Sequence, residues 1–220
     1  ASAPLVVGSH GLEGSMESAK QLLLSKKLPL NGIAFFRFDH RGCGKSAGDF
    51  TADTSLEKRT RDLMAAVDHV LGLGLTSDRI GLFGSSMGGA TCINAWEGLK
   101  KKNHRLFGGV LCSAPVRSRT IQNIPVQAND KRPALPLSFF KENLLFNILD
   151  KARALDHVLI FHGDRDEVVP VSNGFEIHDH IQPPKKLIIH KNGDHQMTSK
   201  TDQEEFERET LAWFSDIFKP

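Results

Sequence analysis

Six short apolar runs, LVVG (5–8), IAFFRF (33–38), RIGLFG (79–84), GGVLCS (108–113), HVLIFHG (157–163) and KLIIH (186–190), recur along this chain. The stretches between them are long enough to hold helices, and this alternation constrains the fold more than any other feature. Most of the runs lack the polar/apolar alternation of a half-exposed strand, so both faces of the sheet are expected to be covered. A strand repeatedly followed by a helical crossover predicts a mostly parallel α/β sheet of about six strands, wound with right-handed connections. A chain of 220 residues can bury a full core, and a single α/β domain over 1–220 is expected.

Helix starts are legible between the runs. Thr54 and Glu57 have capping-box spacing ahead of the apolar positions Leu63, Val67 and Val70. Thr201 and Glu204 repeat that spacing before a last helix whose apolar face includes Phe206, Trp213, Phe214 and Ile217. Segments 87–100 and 172–181 are expected to supply two more helices. One connection breaks the rhythm. Between Ser113 and His157 the chain is far longer than a crossover helix needs, and Pro115, Pro125, Pro133 and Pro136 punctuate it. A long connection of this kind is usually functional, so 115–137 is predicted to form an irregular lid, with a helical continuation from 138 to about 149. The basic residues of this insertion, Arg117, Arg119, Lys131 and Arg132, read as solvated rather than as substrate ligands.

Composition excludes several function classes. A formal net charge of +2 gives no strong pull toward nucleic acid or an anionic membrane. No apolar run approaches the roughly 18–20 residues needed to span a bilayer. The three cysteines, Cys43, Cys92 and Cys112, make no CxxC pair and no metal cluster, which reads as reduced thiols in a cytoplasmic protein. The chain does not begin with Met, so a removed leader stays open.

The chemistry gathers around GLFGSSMGGA (81–90). The pattern G-x-S-x-G is met only with Ser86 at its centre, between Gly84 and Gly88, after a strand and before a helix. Such a turn is tight, so the two glycines keep side chains out of the neighbouring strand and helix. It lifts the Ser86 hydroxyl above the sheet edge and sets the Met87 N–H at a helix start, where it suits a developing oxyanion. The competing phosphate-loop reading, from RGCGKSAG (41–48), fails because Asp39 stands where the first glycine belongs. A serine needs a base held by a third group. Of the ten histidines, His195 in KNGDHQM lies after the last strand, on the sheet edge that carries Ser86. Asp166 in HGDRDEVVP lies after the penultimate strand on the same edge, with Asp164 as its competitor.

Together these stretches resemble the α/β-hydrolase superfamily over essentially the whole chain. SHGLEG (9–14) is similar to the family's HG-x strand end, DHRGCGKS (39–46) to its D-x-R-G-x-G-x-S loop, and FGSSMGG to its nucleophile elbow. HGDRDEVVP matches the HG-x-x-D-x-x-VP acid loop and NGDHQ the base loop; the spacing places the acid at Asp166. The resemblance implies a three-layer α/β/α fold, a Ser86–His195–Asp166 triad, and oxyanion N–H groups on Leu12 and Met87. His10, Gly11, Gly84 and Gly88 would shape the supporting turns, with Asp39, Arg41, Gly42 and Gly44 as loop scaffolding. Family members usually begin with two further strands, which this chain is expected to lack. The implied reaction is hydrolysis of a carboxylic ester through an acyl-enzyme, with no cofactor or metal and a small-molecule ester as partner. The Leu/Phe-rich insertion points to apolar acyl or aryl groups, such as fatty or hydroxycinnamoyl esters. Thioesters, acyl transfer and amide or small-peptide hydrolysis stay open on the same triad. A non-catalytic binding protein is disfavoured because all three triad residues are kept.

Overall fold

All six apolar runs become strands of one sheet: β1 (Leu5–Ser9), β2 (Ala34–Arg37), β3 (Arg79–Ser85), β4 (Arg105–Cys112), β5 (Val158–Gly163) and β6 (Lys185–His190). The structure is a computed structural model that describes residues 2–124, 126–128 and 134–219. Pro125, Lys131, Arg132 and Pro133 of the insertion lie outside the described residues. The strand order is β2-β1-β3-β4-β5-β6 and every pairing is parallel, so the sheet is fully rather than mostly parallel.

The period of two along each strand sorts side chains into two separate cores. Leu5 and Val7 of β1, Ile80 and Leu82 of β3, and Val158 and Ile160 of β5 enter one core. Val6, Phe83, Leu159 and Phe161, one residue out of phase, enter the other. Helices α3 (Leu56–Gly72), α4 (Met87–Lys101) and α6 (Ser172–His180) close the first through Leu63, Val67, Ile93, Trp96 and Ile177. Helices α1 (Ala19–Lys27) and α7 (Lys200–Ile217) close the second through Leu24, Phe206 and Phe214. Apolar residues at both phases are what a strand needs when helices cover both faces, which explains the unbroken runs in the sequence. The three-layer α/β-hydrolase fold follows. No helix among the described residues is long and apolar enough to cross a membrane.

Several boundaries differ from expectation, each for a local reason. The cap of α3 is Ser55, not Thr54: its hydroxyl accepts the Lys58 N–H at 3.1 Å, while Thr54 is buried with its hydroxyl unpartnered. The cap of α7 is Ser199, accepting from Asp202, rather than Thr201 with Glu204. In both cases a second hydroxyl stood within two residues, and the one immediately before the first helical residue became the cap. Helix α1 and the short α2 (Phe50–Asp53) were not among the expected helices, although Asp49 caps α2 by accepting the Ala52 N–H at 2.8 Å.

The insertion is irregular through 115–124, with one 3₁₀ turn at Ser118–Thr120. Helix α5 spans Leu137–Asn143 and stops short of 149. The chain beyond it is captured by 116–118: Ser118 N–H donates to the Phe146 carbonyl at 3.0 Å and Ile148 N–H to the Val116 carbonyl at 2.9 Å. The Phe146 N–H donates to the Ser118 hydroxyl at 2.9 Å. These bonds satisfy the backbone in extended form, and the helix gives way.

Candidate active site

The sheet reverses its winding at β1 and β3, since the chain runs from β1 outward to β2 and returns to β3 on the other side. Loops leaving the carboxyl ends of these two strands diverge there and open a crevice. Ser9 of β1 is in register with Gly84 of β3, so both loops leave from the same height. Two residues further on lie Gly11 and Ser86, close enough that a Cβ on Gly11 would sit 3.5 Å from the Ser86 Cβ.

The turn holding Ser86 is sterically determined. A Cβ on Gly84 would come within 2.5 Å of the Gly88 carbonyl oxygen, and one on Gly88 within 2.0 Å of the Ser9 carbonyl oxygen. With both positions restricted to glycine, α4 starts directly against the end of β1. Ser86 itself takes φ 53°, ψ −124°, a region that L-residues rarely occupy and that typically marks a functional position. The tight turn directs its hydroxyl out of the sheet while Ser85 stays the last residue of β3.

Ser86, His195 and Asp166, far apart in sequence, meet here. The imidazole Nδ1–H of His195 donates to Asp166, at 2.8 Å from Oδ2 and 2.9 Å from Oδ1. That proton position leaves Nε2 as an acceptor, 3.0 Å from the Ser86 Oγ. The His195 N–H also donates to the Glu167 carboxylate at 3.2 Å, which ties the base loop to the acid loop. Asp164 does not compete: it is exposed and its carboxylate accepts the Asn192 N–H.

The environment of Asp166 keeps it ionised. Burial alone would raise its pKa, but hydrogen bonds from His162 and His195, the His195 charge and the Val169 N–H outweigh it. The carboxyl is held well below the usual carboxylate range. Its Oδ1 accepts the N–H groups of Val168 and Val169 at 2.9 and 2.7 Å. His162 is hydrogen-bonded at one nitrogen only. Nε2 donates to the Val169 carbonyl at 2.8 Å, whereas the buried Nδ1 has no partner.

The loop after β1 is held from below. His10 is buried; its Nδ1–H donates to the Gly11 carbonyl at 2.7 Å and its Nε2 accepts the His40 N–H at 3.2 Å. Asp39 accepts the N–H groups of Met16 and Lys45 through its two oxygens, joining the 39–46 loop to this one. Arg41 pairs with Asp62, Nε to Oδ1 at 2.7 Å. These contacts hold the loops after β1 and β2 together. Not expected from the sequence is Arg59, whose guanidinium lies fully buried on the carbonyls of His10 and Gly11. A signal for it existed, because Arg59 falls on the apolar stripe of α3 formed by Leu56, Leu63, Val67 and Val70.

Above the serine opens a cavity of about 780 Å³, within the roughly 300–1,000 Å³ usual for small-molecule sites. Leu12, Ser86, Met87 and His195 form its floor. The insertion supplies Ile121 and Ile124 from its irregular part and Phe140, Leu144 and Phe146 from the segment around α5. The free thiols are all buried; burial pushes that of Cys43 up, so none is poised to react.

A family model described as "Serine aminopeptidase, S33" matches residues 1–146. The palmitoyl-protein thioesterase ABHD10 of mouse mitochondria is 27% identical over 218 residues, covering 90% of this chain and 71% of that protein. Among solved structures, Est1E from Butyrivibrio proteoclasticus with ferulic acid bound superposes with a TM-score of 0.79 at 24% identity, over 97% of this chain and 90% of that one. The esterase Pf2001 of Pyrococcus furiosus gives 0.78 at 24% identity, over 98% and 83%. At such identities the structural likeness establishes the α/β-hydrolase fold.

Proposed function

This chain belongs to the serine aminopeptidase S33 family of α/β-hydrolase serine hydrolases, and from that membership we propose that it hydrolyses carboxylic esters of apolar acyl or aryl groups through an acyl-enzyme. The observation that carries the reading is the Ser86–His195–Asp166 hydrogen-bond chain opening into an apolar cavity. Ser86 Oγ attacks the ester carbonyl carbon while His195 Nε2 takes its proton. Asp166 keeps the imidazole in the reactive tautomer and stabilises its protonated form. The N–H groups of Met87 and Leu12 bind the oxyanion, where fixed donors act without reorganisation. Collapse expels the alcohol, protonated by His195, and a water activated by the same imidazole releases the acid. Residues 115–124, with the segment around α5, serve as the roof that keeps the acyl chain from water.

The cavity lining favours an ester over a substrate with a free α-amino group. Recognising an ammonium calls for carboxylates, yet Glu13 is the sole acid among the described lining residues and already has a partner. Lys20, Arg119 and Lys141 set the opposite sign of charge around the same space. Thioester cleavage is the second reading, supported by the similarity to ABHD10, and it uses the same residues.

A hydrolysis panel tests the proposal: p-nitrophenyl esters of increasing acyl length, hydroxycinnamate esters, acyl-CoA thioesters and aminoacyl amides, with Ser86→Ala as control. Activity on the esters that rises with acyl size, and is abolished in the control along with fluorophosphonate labelling, is the expected result. Equal rates for the control and the native chain would overturn the site, and preference for the aminoacyl amides would overturn the substrate class.

A further inference from the structure

We propose that Arg59 is a positioning residue of the oxyanion hole, its buried guanidinium gripping the His10 and Gly11 carbonyls so that the Leu12 N–H is aimed at the substrate oxygen. This rests on the reading of Leu12 and Met87 as the oxyanion donors. In a trans peptide the C=O and the following N–H point in opposite directions. Whatever fixes the Gly11 carbonyl therefore fixes the Leu12 N–H on the far side of that peptide plane. Three donors converge on this one oxygen: Arg59 Nη2 at 3.1 Å, His10 Nδ1–H at 2.7 Å and Gly14 N–H at 3.2 Å. The same Arg59 Nη2 donates to the His10 carbonyl, so one nitrogen spans two consecutive peptides. Ser86 lies beside Gly11, where an added Cβ would sit 3.5 Å from the Ser86 Cβ.

What the guanidinium lacks is as telling as what it holds. No described carboxylate lies within ion-pair distance of Arg59; Nη1 meets only the Cys43 sulfur at 3.9 Å, and Nε is buried without a partner. A charge buried without a carboxylate is costly unless a second use compensates. Here the charge draws electron density toward the Gly11 oxygen, which makes the conjugated Leu12 N–H a stronger donor. Burial lowers the pKa of Arg59 to about 10, so the group stays cationic at neutral pH. Among the described residues, Arg59 is the side chain seen to donate to both carbonyls. A side chain that merely filled space would need no hydrogen bond to either.

The test compares Arg59→Lys and Arg59→Met with the native chain on a p-nitrophenyl ester. An alkyl boronic acid, whose adduct on Ser86 is tetrahedral and anionic, reports transition-state complementarity, and the product acid reports ground-state binding. Losing one oxyanion donor costs roughly 10²–10³ in kcat, so a misaimed donor in Arg59→Met should lower kcat by about 10- to 100-fold. KM and product-acid affinity should change less than about threefold, boronate affinity should fall in parallel with kcat/KM, and Arg59→Lys should recover part of the loss. A folded Arg59→Met with kcat and boronate affinity within threefold of native overturns the proposal. So does a rise in KM with product-acid and boronate affinity both lost by the same factor, which would mark general damage to the pocket. If neither variant folds, a crystal structure of the native boronate adduct decides. The boronate oxygen lies on the Leu12 N–H with Arg59 on the Gly11 carbonyl, or the proposal fails. An active Ser86→Ala would instead overturn the site reading itself, independently of any Arg59 result.

Discussion

Asp166 illustrates how a single residue is prepared for its work by its neighbours. Two backbone N–H groups and two histidines surround its carboxylate, and each favours the ionised form. Asp166→Asn keeps the shape but removes the charge and offers an amide N–H that would push the imidazole toward the wrong tautomer. The expected loss in kcat is about 10⁴-fold, with KM little changed, as steady-state kinetics would read. Fluorophosphonate labelling of Ser86 should slow in step, because it depends on the same base. Asp166 was legible in the sequence because VP follows at a fixed distance. Arg59 was not singled out, because LEKRTRDL reads as a charged helix surface. Its burial comes from the His10–Gly11 loop and Cys43, which approach it only once the sheet has assembled.

Among the elements, strands were easier to read than helix ends. A strand covered on both faces must be apolar at every position, and few other segments of this chain are. A cap is settled by which hydroxyl stands immediately before the first helical residue, and Thr54–Ser55 offers two. The distinction has a measurable consequence. Ser55→Ala should destabilise by about 1 kcal/mol, since it leaves the Lys58 N–H unsatisfied. Thr54→Val should cost little or even stabilise, because it replaces a buried hydroxyl that has no partner. Urea unfolding of both variants checks the pair, and the reverse ranking would restore Thr54 as the cap. The end of α5 was illegible for a different reason: its competitor, the 116–118 strip, lies elsewhere in the chain.

For the molecule as a whole, acid is the condition that most directly strains this arrangement. His40 is fully buried between Ser9, which it meets at 2.9 Å, and Asp62. Burial first, then the Arg59 charge, lowers its pKa to about 3. The folded protein therefore keeps His40 neutral while the unfolded chain protonates it below about 6.5. Between those values the unfolded state binds the extra proton, so stability is full above pH 6.5 and falls as the pH drops toward 3. His190, also lowered chiefly by burial, adds in the same direction. In His40→Gln the slope of unfolding free energy against pH should be shallower by up to about 1.4 kcal/mol per pH unit over this window. Denaturant titrations between pH 4 and 7 would show it; parallel slopes would mean that His40 takes up its proton equally in both states.

The register of Ser9 with Gly84 carries a last implication, about which changes this scaffold can absorb. A one-residue insertion in β1 or β3 would advance one loop by about 3.3 Å relative to the other, more than any hydrogen bond tolerates. It would also turn the side chains beyond the insertion toward the wrong layer. Under the proposed mechanism, the spacing between Ser86 and the Leu12 N–H is thus tied to the packing of both core layers. A change in length is better absorbed by a segment such as 115–124, which lies outside the strands. New substrates can be reached there while the two strands keep their measure.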